Sequence, residues 1–212
     1  MRILLTSGAT REPIDAVRFL SNVSTGRTGA LLAGALAQHD HAVTLLHGEG
    51  AVRPGLMNSV ATESFSSTEN LEAQLRRLLG AGSYDAVIHC AAVSDYRPAE
   101  THAAKLTSYA SELTLRLVPT TKLLPKLKHY APRPLKVIGF KLTAGAGTQD
   151  RAQAVAKLFA AGTVDAVIHN DMDDLATGDA RPFHAWRAGS PTPESLAGIE
   201  ELGEWLNAFV CA

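Results

Sequence analysis

The chain has 212 residues, of which 46% are hydrophobic and 19% are charged, and its formal net charge is −1. This length suits one domain with a sizeable core, and this composition excludes a disordered chain. The charge gives no reason to expect nucleic acid or an acidic membrane as a partner, and no stretch approaches the roughly 18 apolar residues of a membrane span. The two cysteines, Cys90 and Cys211, have no CxxC or zinc spacing. With an N-terminus unlike a signal peptide, they indicate a cytoplasmic location.

The first half of the chain predicts strands that alternate with helices, because apolar runs alternate with apolar residues spaced three and four apart. The expected elements are a strand at 3–5, a helix from Thr28, a strand at 41–48, a helix over 68–82 capped by Thr68, and a strand at 86–90. Such alternation is typical of a parallel sheet covered on both faces. We therefore expect a Rossmann-like, doubly wound, mostly parallel three-layer α/β/α fold, formed as a single domain over residues 1–212.

The second half begins with a different pattern. Residues 111–119, "SELTLRLVP", alternate apolar and polar side chains, which predicts a half-exposed strand at an edge. The elements expected after it are a short helix interrupted by Pro125, a strand at 135–140, a helix over 148–162, a strand at 164–171, a polar loop with one short strand near "RPFHAWRAG", and a closing helix over 192–210 capped by Thr192.

Small or polar residues follow four of the predicted strands. They are Ser7, Gly8 and Thr10 after the first, Ala91, Ala92, Ser94 and Asp95 after the third, Lys141 after the strand at 135–140, and Asn170 and Asp171 after the strand at 164–171. Ligands of doubly wound sheets bind beyond the carboxyl ends of the strands. A single loop of this kind is usually an ordinary turn with no ligand, whereas four together predict a ligand site at this rim.

Two glycine turns occur where a dinucleotide-binding protein has one. The first, "SGATREP", lacks the later glycines of G-x-G-x-x-G. The second, "STGRTGALLA", opens a helix, so Ser24, Thr25, Gly26 and Arg27 predict an anion-binding turn, with an N-capped, tightly packed helix as the alternative. We interpret the pair as one anion loop split by the insertion "TREPIDAVRFLSN". This insertion puts Asn22, whose amide both donates and accepts, beside the anion site.

Seven motifs occur in an ordered series between residue 2 and about residue 171. They are "TSGATREPID", "RFLSNVSTGRTG", "AAVSDYRP", a lysine ten residues after that aspartate, "ELTLRLVPT", "VIGFKL" and "VDAVIHND". In these motifs the chain resembles the phosphopantothenate–cysteine ligases, in their monofunctional form, so we expect no flavin-binding decarboxylase domain. That family, which acts in coenzyme A biosynthesis, activates the carboxylate of 4′-phosphopantothenate with a nucleoside triphosphate and releases pyrophosphate. The amine of L-cysteine then attacks the acyl-nucleotide.

The resemblance implies roles for individual residues. Asn22 matches the asparagine that holds the acyl-nucleotide carbonyl, and Lys105 matches the catalytic lysine, carried on a mobile flap at about residues 99–118. Asp95 matches a nucleotide-site aspartate and is the expected contact for Mg²⁺. The full set of expected nucleotide-binding residues is Gly8, Ser24, Thr25, Gly26, Arg27, Ala91, Asp95, Thr121, Lys122, Leu123, Leu124, Phe140, Lys141 and Lys157. The first five of these would serve phosphates, either of the nucleotide or of 4′-phosphopantothenate.

The chain departs from the family pattern at nucleotide contacts. The fused bacterial enzymes have two lysines four residues apart in the helix after the phenylalanine. Lys157 fits the first of them only with an inserted residue, and Ala161 stands at the second. Lys141, beside Phe140, is a hypothetical replacement for the missing charge. "TKL" and "KLTS" also replace "PDI" and "KIKK", so both CTP and ATP remain open as substrates.

Two other classes of protein remain open. A short-chain reductase or epimerase that binds NAD(P) would carry a Tyr-xxx-Lys pair, but Glu100 and Leu113 stand where Tyr96 and Tyr109 would need the lysine. A non-catalytic nucleotide-binding protein with the same fold is the other alternative. The strand expected at 111–119 has one apolar face to bury. The family pairs it across a two-fold axis, so we expect a homodimer with small-molecule substrates and neither nucleic acid nor membrane as a partner.

Overall fold

The computed structural model describes residues 1–55, 60–107, 109, 111–175 and 181–212, and within them lie twelve strands and five α-helices. The strands are β1 (Arg2–Ser7), β2 (Arg11–Pro13), β3 (Phe19–Ser21), β4 (Ala42–Gly48), β5 (Val60–Phe65), β6 (Ala86–His89), β7 (Tyr96–Pro98), β8 (Leu117–Pro119), β9 (Lys136–Thr143), β10 (Ala166–Asp171), β11 (Phe183–Arg187) and β12 (Glu194–Leu196). The helices are α1 (Arg27–Gln38), α2 (Thr68–Gly80), α3 (Leu127–Tyr130), α4 (Thr148–Phe159) and α5 (Ile199–Cys211).

Eight strands form the central sheet, in the order β12-β11-β10-β9-β6-β1-β4-β5. The six strands from β10 to β5 are parallel, and β11 and β12 extend the sheet by antiparallel pairing. The parallel strands follow the Rossmann order, in which the chain moves outward from β1 to β5 and then restarts on the other side of β1 with β6. The topological switch point therefore lies between β1 and β6, as the expected fold requires.

Helices cover both faces of the sheet. On one face α1 and α5 bury Leu32, Leu36 and Leu206 against β1, β6 and β10. On the other face α2, α3 and α4 bury Leu71, Leu127 and other apolar residues against the same strands. Burial on both faces explains why the parallel strands are continuous apolar runs in the sequence. The three-layer α/β/α prediction is confirmed.

Several predicted element ends are wrong. Thr192 does not cap the closing helix, because residues 194–196 pair with β11 as β12 and the helix begins only at Ile199. The cap of α2 is Ser67, whose Oγ accepts from the Asn70 amide at 3.2 Å, and not Thr68. The sequence pattern does not predict β5, because this edge strand is mostly exposed and therefore lacks an apolar run.

The strand expected at 111–119 is also shorter than predicted. Only Leu117–Pro119 is a strand, and it pairs antiparallel with β7 in a two-stranded sheet apart from the central one. Alternation alone is not sufficient for a strand, because the backbone also needs a hydrogen-bonding partner, and β7 offers one for three residues. Residues 108 and 110 of the expected flap lie outside the described residues. β2 and β3 form a second small sheet.

Within the ranges that the structure describes, every helix is too short or too polar to cross a lipid bilayer.

Candidate active site

The loops after β1 and β6 are joined backbone to backbone at the switch point. The oxygen of Gly8 accepts from the Ala92 amide at 2.8 Å, and the oxygen of Ala92 accepts from the Thr10 amide at 3.1 Å. The buried Thr10 hydroxyl also accepts from the Ser94 amide at 3.0 Å. Since these main-chain groups are paired, the loops form a rigid floor to the crevice where ligands of this fold bind.

The two glycine turns predicted from the sequence lie against each other. Gly8 and Gly26 have φ angles of +80° and +76°, in the region that side chains disfavour. A Cβ on Gly26 would lie 3.2 Å from the Gly8 nitrogen, and Ser7 Oγ donates to the Gly26 oxygen at 2.8 Å. The two turns thus form one continuous loop at the N-terminus of α1. The glycines allow the two backbones to approach each other closely there.

A cavity of about 650 Å³ opens at the N-terminus of α1. Its basic residues are Arg27 and Arg181, and the Arg181 guanidinium donates to Thr28 Oγ1 at 2.9 Å. Glu200 and Glu201, in the first turn of α5, also line it. The helix N-terminus and the two arginines therefore favour an anion on the α1 side of the cavity.

Asn22 lies at a second, smaller cavity of about 300 Å³ beside the first glycine turn. Its exposed side chain donates from Nδ2 to the main-chain oxygen of Val93 at 3.2 Å. Ser24 also lines this cavity, whereas Thr25 and Arg27 line the larger one. The turn from Asn22 to Arg27 thus borders both cavities, and Asn22 ties it to the loop after β6.

Asp95 and Lys122 form an ion pair at the rim, and both side chains are about two-thirds exposed, at 68% and 67%. The oxygen of Asp95 accepts from the Thr120 amide at 2.9 Å, which brings Thr121 next to this loop. Among the described residues, no group of three or more His, Cys, Asp or Glu is placed to hold a metal ion. A single carboxylate does not form a metal site by itself, since Mg²⁺ is commonly held by one or two carboxylates plus substrate phosphates.

Lys105 lies after β7 with an exposed side chain. In the described part of the chain, no hydrogen bond or ion pair joins it to Asn22 or Asp95. Its neighbour Leu106 donates its amide to the Asp15 carboxylate at 3.0 Å. The inserted segment between the glycine turns thus contacts the flap segment directly.

The structure places the remaining expected site residues on different faces of the sheet. Phe140 packs on the α1–α5 side. Lys141 follows it in the same strand and points to the opposite face. Leu123 is buried in the core beneath α2–α4 and Leu124 packs on it, so these two side chains are structural. Lys157 is exposed in the last turn of α4, toward the amino-terminal edge of the sheet, because α4 leads back from β9 to the start of β10. The structure does not bring Lys157 to the rim.

The amide of Ala91 is occupied internally, since it donates to Thr6 Oγ1 at 3.2 Å. The Ala91 methyl group packs against the core beneath α2, α3 and α4. The Thr6 hydroxyl contacts Nδ1 of buried His89 at 2.8 Å. Burial lowers the pKa of His89 to about 4, and burial raises the pKa of the neighbouring Cys90 thiol to about 12. The end of β6 and the first residue after it therefore carry a neutral imidazole and a neutral thiol at pH 7.

Two buried carboxylates at the rim were not recognised as organisers from the sequence. Asp171 accepts from the amides of Gly145, Ala146 and Asp173 at 3.0–3.3 Å, and a Thr143 hydroxyl bond holds its pKa well below the usual range. Asp15 holds the inserted segment together. A strand-end position signalled Asp171, whereas nothing in the local sequence signals the partners of Asp15.

Comparisons with known proteins agree with this architecture. The family described as the DNA/pantothenate metabolism flavoprotein C-terminal domain matches residues 1–184. The coenzyme A biosynthesis bifunctional protein CoaBC of Thermococcus kodakarensis is 33% identical over 171 residues, which cover 81% of this chain and 41% of that protein. The chain thus spans less than half the length of this relative.

Two solved structures share the fold. The DNA/pantothenate metabolism flavoprotein from Streptococcus pneumoniae superposes with a TM-score of 0.88 at 25% identity, covering 100% of this chain and 98% of that one. A C-terminal domain of coenzyme A biosynthesis bifunctional protein CoaBC superposes with a TM-score of 0.76 at 25% identity, covering 99% and 94%.

Proposed function

Because the chain belongs to the family of DNA/pantothenate metabolism flavoprotein C-terminal domains, we propose that it joins 4′-phosphopantothenate to L-cysteine through an acyl-nucleotide, with CTP or ATP as the activating nucleotide. One observation carries the proposal. The switch-point crevice joins a positively polarised helix N-terminus to an exposed asparagine amide, through the single turn from Asn22 to Arg27. An acyl-nucleotide needs these two features side by side, one for its phosphate and one for its carbonyl.

The first step activates a carboxylate, which is a poor electrophile until it carries a good leaving group. The α1 N-terminus, Arg27 and Arg181 suit the triphosphate, which we propose enters as its magnesium complex and meets Asp95. Phe140 is half-buried on the same face and suits contact with the base. The carboxylate attacks the α-phosphorus, the bond to the bridging oxygen breaks, and pyrophosphate leaves.

The second step adds the cysteine amine to the acyl carbon. Negative charge builds on the carbonyl oxygen, and a preorganised donor there lowers the barrier. Asn22 and Lys105 are the proposed donors, one from the anion loop and one from the flap. The tetrahedral intermediate then expels the nucleoside monophosphate, and the amine proton leaves to solvent or to a phosphate oxygen.

We also propose that the protein acts as a homodimer. The two small sheets contact each other through β2 and β7 and carry exposed apolar side chains. These are Phe19, Tyr96 and Leu117, which are 49%, 53% and 43% exposed. Aromatic and aliphatic groups exposed together favour a protein interface. Light scattering at micromolar concentration tests this, and a monomer there would count against it.

Turnover with each triphosphate tests the proposed reaction. The protein is incubated with 4′-phosphopantothenate, Mg²⁺ and either CTP or ATP, and pyrophosphate is measured before and after L-cysteine is added. We expect one equivalent of pyrophosphate without cysteine, steady turnover with cysteine, and loss of turnover in Lys105→Gln. Lys128→Gln, which removes a lysine paired with Asp165 far from the rim, is the matched control.

Two results would favour the other classes of protein. Hydride transfer from a nicotinamide cofactor would indicate a reductase. Triphosphate binding without pyrophosphate release, under conditions in which all substrates are present, would indicate a non-catalytic nucleotide-binding protein.

A further inference from the structure

The flap segment lies along the turn of the inserted segment and is bonded to it at several points. The Thr101 hydroxyl donates to the Pro13 oxygen at 3.2 Å, and the His102 amide donates to the Ile14 oxygen at 3.0 Å. Farther along, Leu106 is held at both of its main-chain groups. Its amide donates to Asp15 Oδ2 at 3.0 Å, and its oxygen accepts from Arg18 Nη2 at 2.9 Å.

Asp15 is the centre of this arrangement. Its side chain has no solvent exposure, although the surrounding turn lies outside the central sheet. It accepts from the amides of Val17 and Arg18 at 2.9 Å each, and from Arg18 Nε at 2.9 Å. The Arg18 guanidinium holds the pKa of the Asp15 carboxyl well below its usual range. A permanently charged acceptor with several donors makes strong, directional contacts.

The inserted segment is itself fixed to the core by a second carboxylate. Glu12, in β2, is buried, and its Oε1 accepts from the Thr68 amide at 2.9 Å and the Thr68 hydroxyl at 2.7 Å. These contacts tie the hairpin of β2 and β3 to the start of α2. A continuous series of hydrogen bonds therefore leads from α2 through the hairpin to Leu106, and the same hairpin ends next to Asn22.

We propose that Asp15 is the positioning residue for Lys105, an inference that rests on the proposed function of Lys105. Consecutive Cα atoms are about 3.8 Å apart, so a Leu106 held at both polar groups fixes where the Lys105 backbone ends on that side. On this proposal, the exposed side chain of Lys105 reaches the crevice from a backbone position that Asp15 sets. The insertion between the glycine turns thus serves both proposed donors, because it carries Asn22 and anchors Lys105.

Limited trypsin digestion of the full chain tests the anchor directly, because trypsin cleaves after lysine at the Lys105–Leu106 bond. Cleavage requires an extended, mobile backbone, and both polar groups of Leu106 are bonded in the folded protein. We expect Asp15→Asn to raise the rate of cleavage at this bond at least about tenfold. Asp85→Asn is the matched control, since Asp85 also binds an arginine and a backbone amide but lies at the amino-terminal edge.

Kinetics then test the link to Lys105. We expect Asp15→Asn to lower kcat for amide formation at least about tenfold, with KM for the triphosphate changed less than about threefold, because a misplaced group affects the transition state more than binding. In a protein that already carries Lys105→Gln, we expect Asp15→Asn to change the remaining rate of amide formation less than about twofold. The reason is that the effects of two substitutions are not additive when one residue acts through the other.

Each result has a distinct meaning. If the parent protein forms no amide, the proposed function fails while the cleavage result still decides whether Asp15 holds the flap segment. If the parent turns over and Asp15→Asn matches it in cleavage and kcat, the positioning role is refuted. Should Asp15→Asn lose its thermal transition, Arg18→Lys replaces it, because a lysine keeps a positive charge beside buried Asp15 but lacks the forked guanidinium that also binds the Leu106 oxygen.

Discussion

The side-chain amide of Asn22 donates to the main-chain oxygen of Val93 at 3.2 Å, and this bond spans the switch point between β1 and β6. The two residues are 71 positions apart in the chain. One Nδ2 proton is used in this bond, so the amide plane is oriented, while the second proton and Oδ1 remain available. The contact converts an exposed polar side chain into a directed donor.

Replacing Asn22 by Asp separates shape from hydrogen-bond donation. The carboxylate has the same size, but it cannot donate to Val93 and it repels negative charge on a reacting carbonyl. We expect amide formation to fall by about 100-fold or more, the size of effect seen when one oxyanion donor is lost, with the melting temperature nearly unchanged. An Asn22→Asp protein with full turnover would remove Asn22 from the proposed chemistry.

Gly29 tests whether the glycines at the start of α1 are needed for packing. A Cβ there would lie 2.4 Å from Ser7 Oγ and 2.5 Å from Ser7 Cβ. We expect Gly29→Ala to lower the free energy of unfolding by about 1–3 kcal/mol despite the better helix propensity of alanine. Gly80→Ala is the control, because the nearest atom to its Cβ would be the main-chain oxygen of Tyr130 at 3.8 Å. We expect this substitution to raise the free energy of unfolding by up to about 1 kcal/mol. Urea unfolding of both variants gives the comparison, and equal effects would contradict it.

Buried His89 makes stability depend on pH in a defined window. Its folded pKa is lowered from 6.5 to about 4, so between these values the unfolded chain binds a proton that the folded protein does not. The contribution of His89 to the free energy of unfolding is therefore fully present above about pH 6.5. It falls by on the order of 3 kcal/mol as the pH is lowered toward 4.

Denaturant titrations at several pH values measure this loss. His89→Asn keeps a polar side chain that can bond the Thr6 hydroxyl in either direction and removes the titrating ring, so we expect a shallower dependence over pH 4–6.5. His129→Asn, at an exposed position on α3, is the control. An unchanged slope in His89→Asn would show that His89 titrates normally.

The two cysteines differ in expected reactivity. Burial raises the pKa of Cys90 to about 12, whereas Cys211 is exposed in the last turn of α5. The thiolate is the reactive form, so iodoacetamide at pH 8 is expected to label Cys211 at least about tenfold faster than Cys90. Mass spectrometry of tryptic peptides gives both rates, with the urea-unfolded protein as the reference. Equal rates in the folded protein would contradict the raised pKa of Cys90.

The helices and buried strands of the central sheet could be predicted from the sequence because hydrophobic periodicity is a local property. The run at 86–90 and the leucines of α2 each report a buried surface without knowledge of their partners. Their order along the chain then predicts the doubly wound sheet, and the motifs at the strand ends predict the rim.

Other features could not be predicted from the local sequence, because they depend on contacts with residues far away in the chain. Residues 194–196 are a strand rather than a helix start only because β11 pairs with them. Phe140 and Lys141 adjoin in the sequence, yet the pleat of β9 sends them to opposite faces. Asp15 and Leu106 meet across 91 residues.

The sequence by itself thus determined the layers, the rim and the residue types available there. Only the tertiary structure decided which of those residues share a cavity, which are consumed in packing, and that the segment between the two glycine turns holds the flap. The physical reason is that periodicity records whether a position is buried, whereas hydrogen-bond partners are set by how distant segments meet.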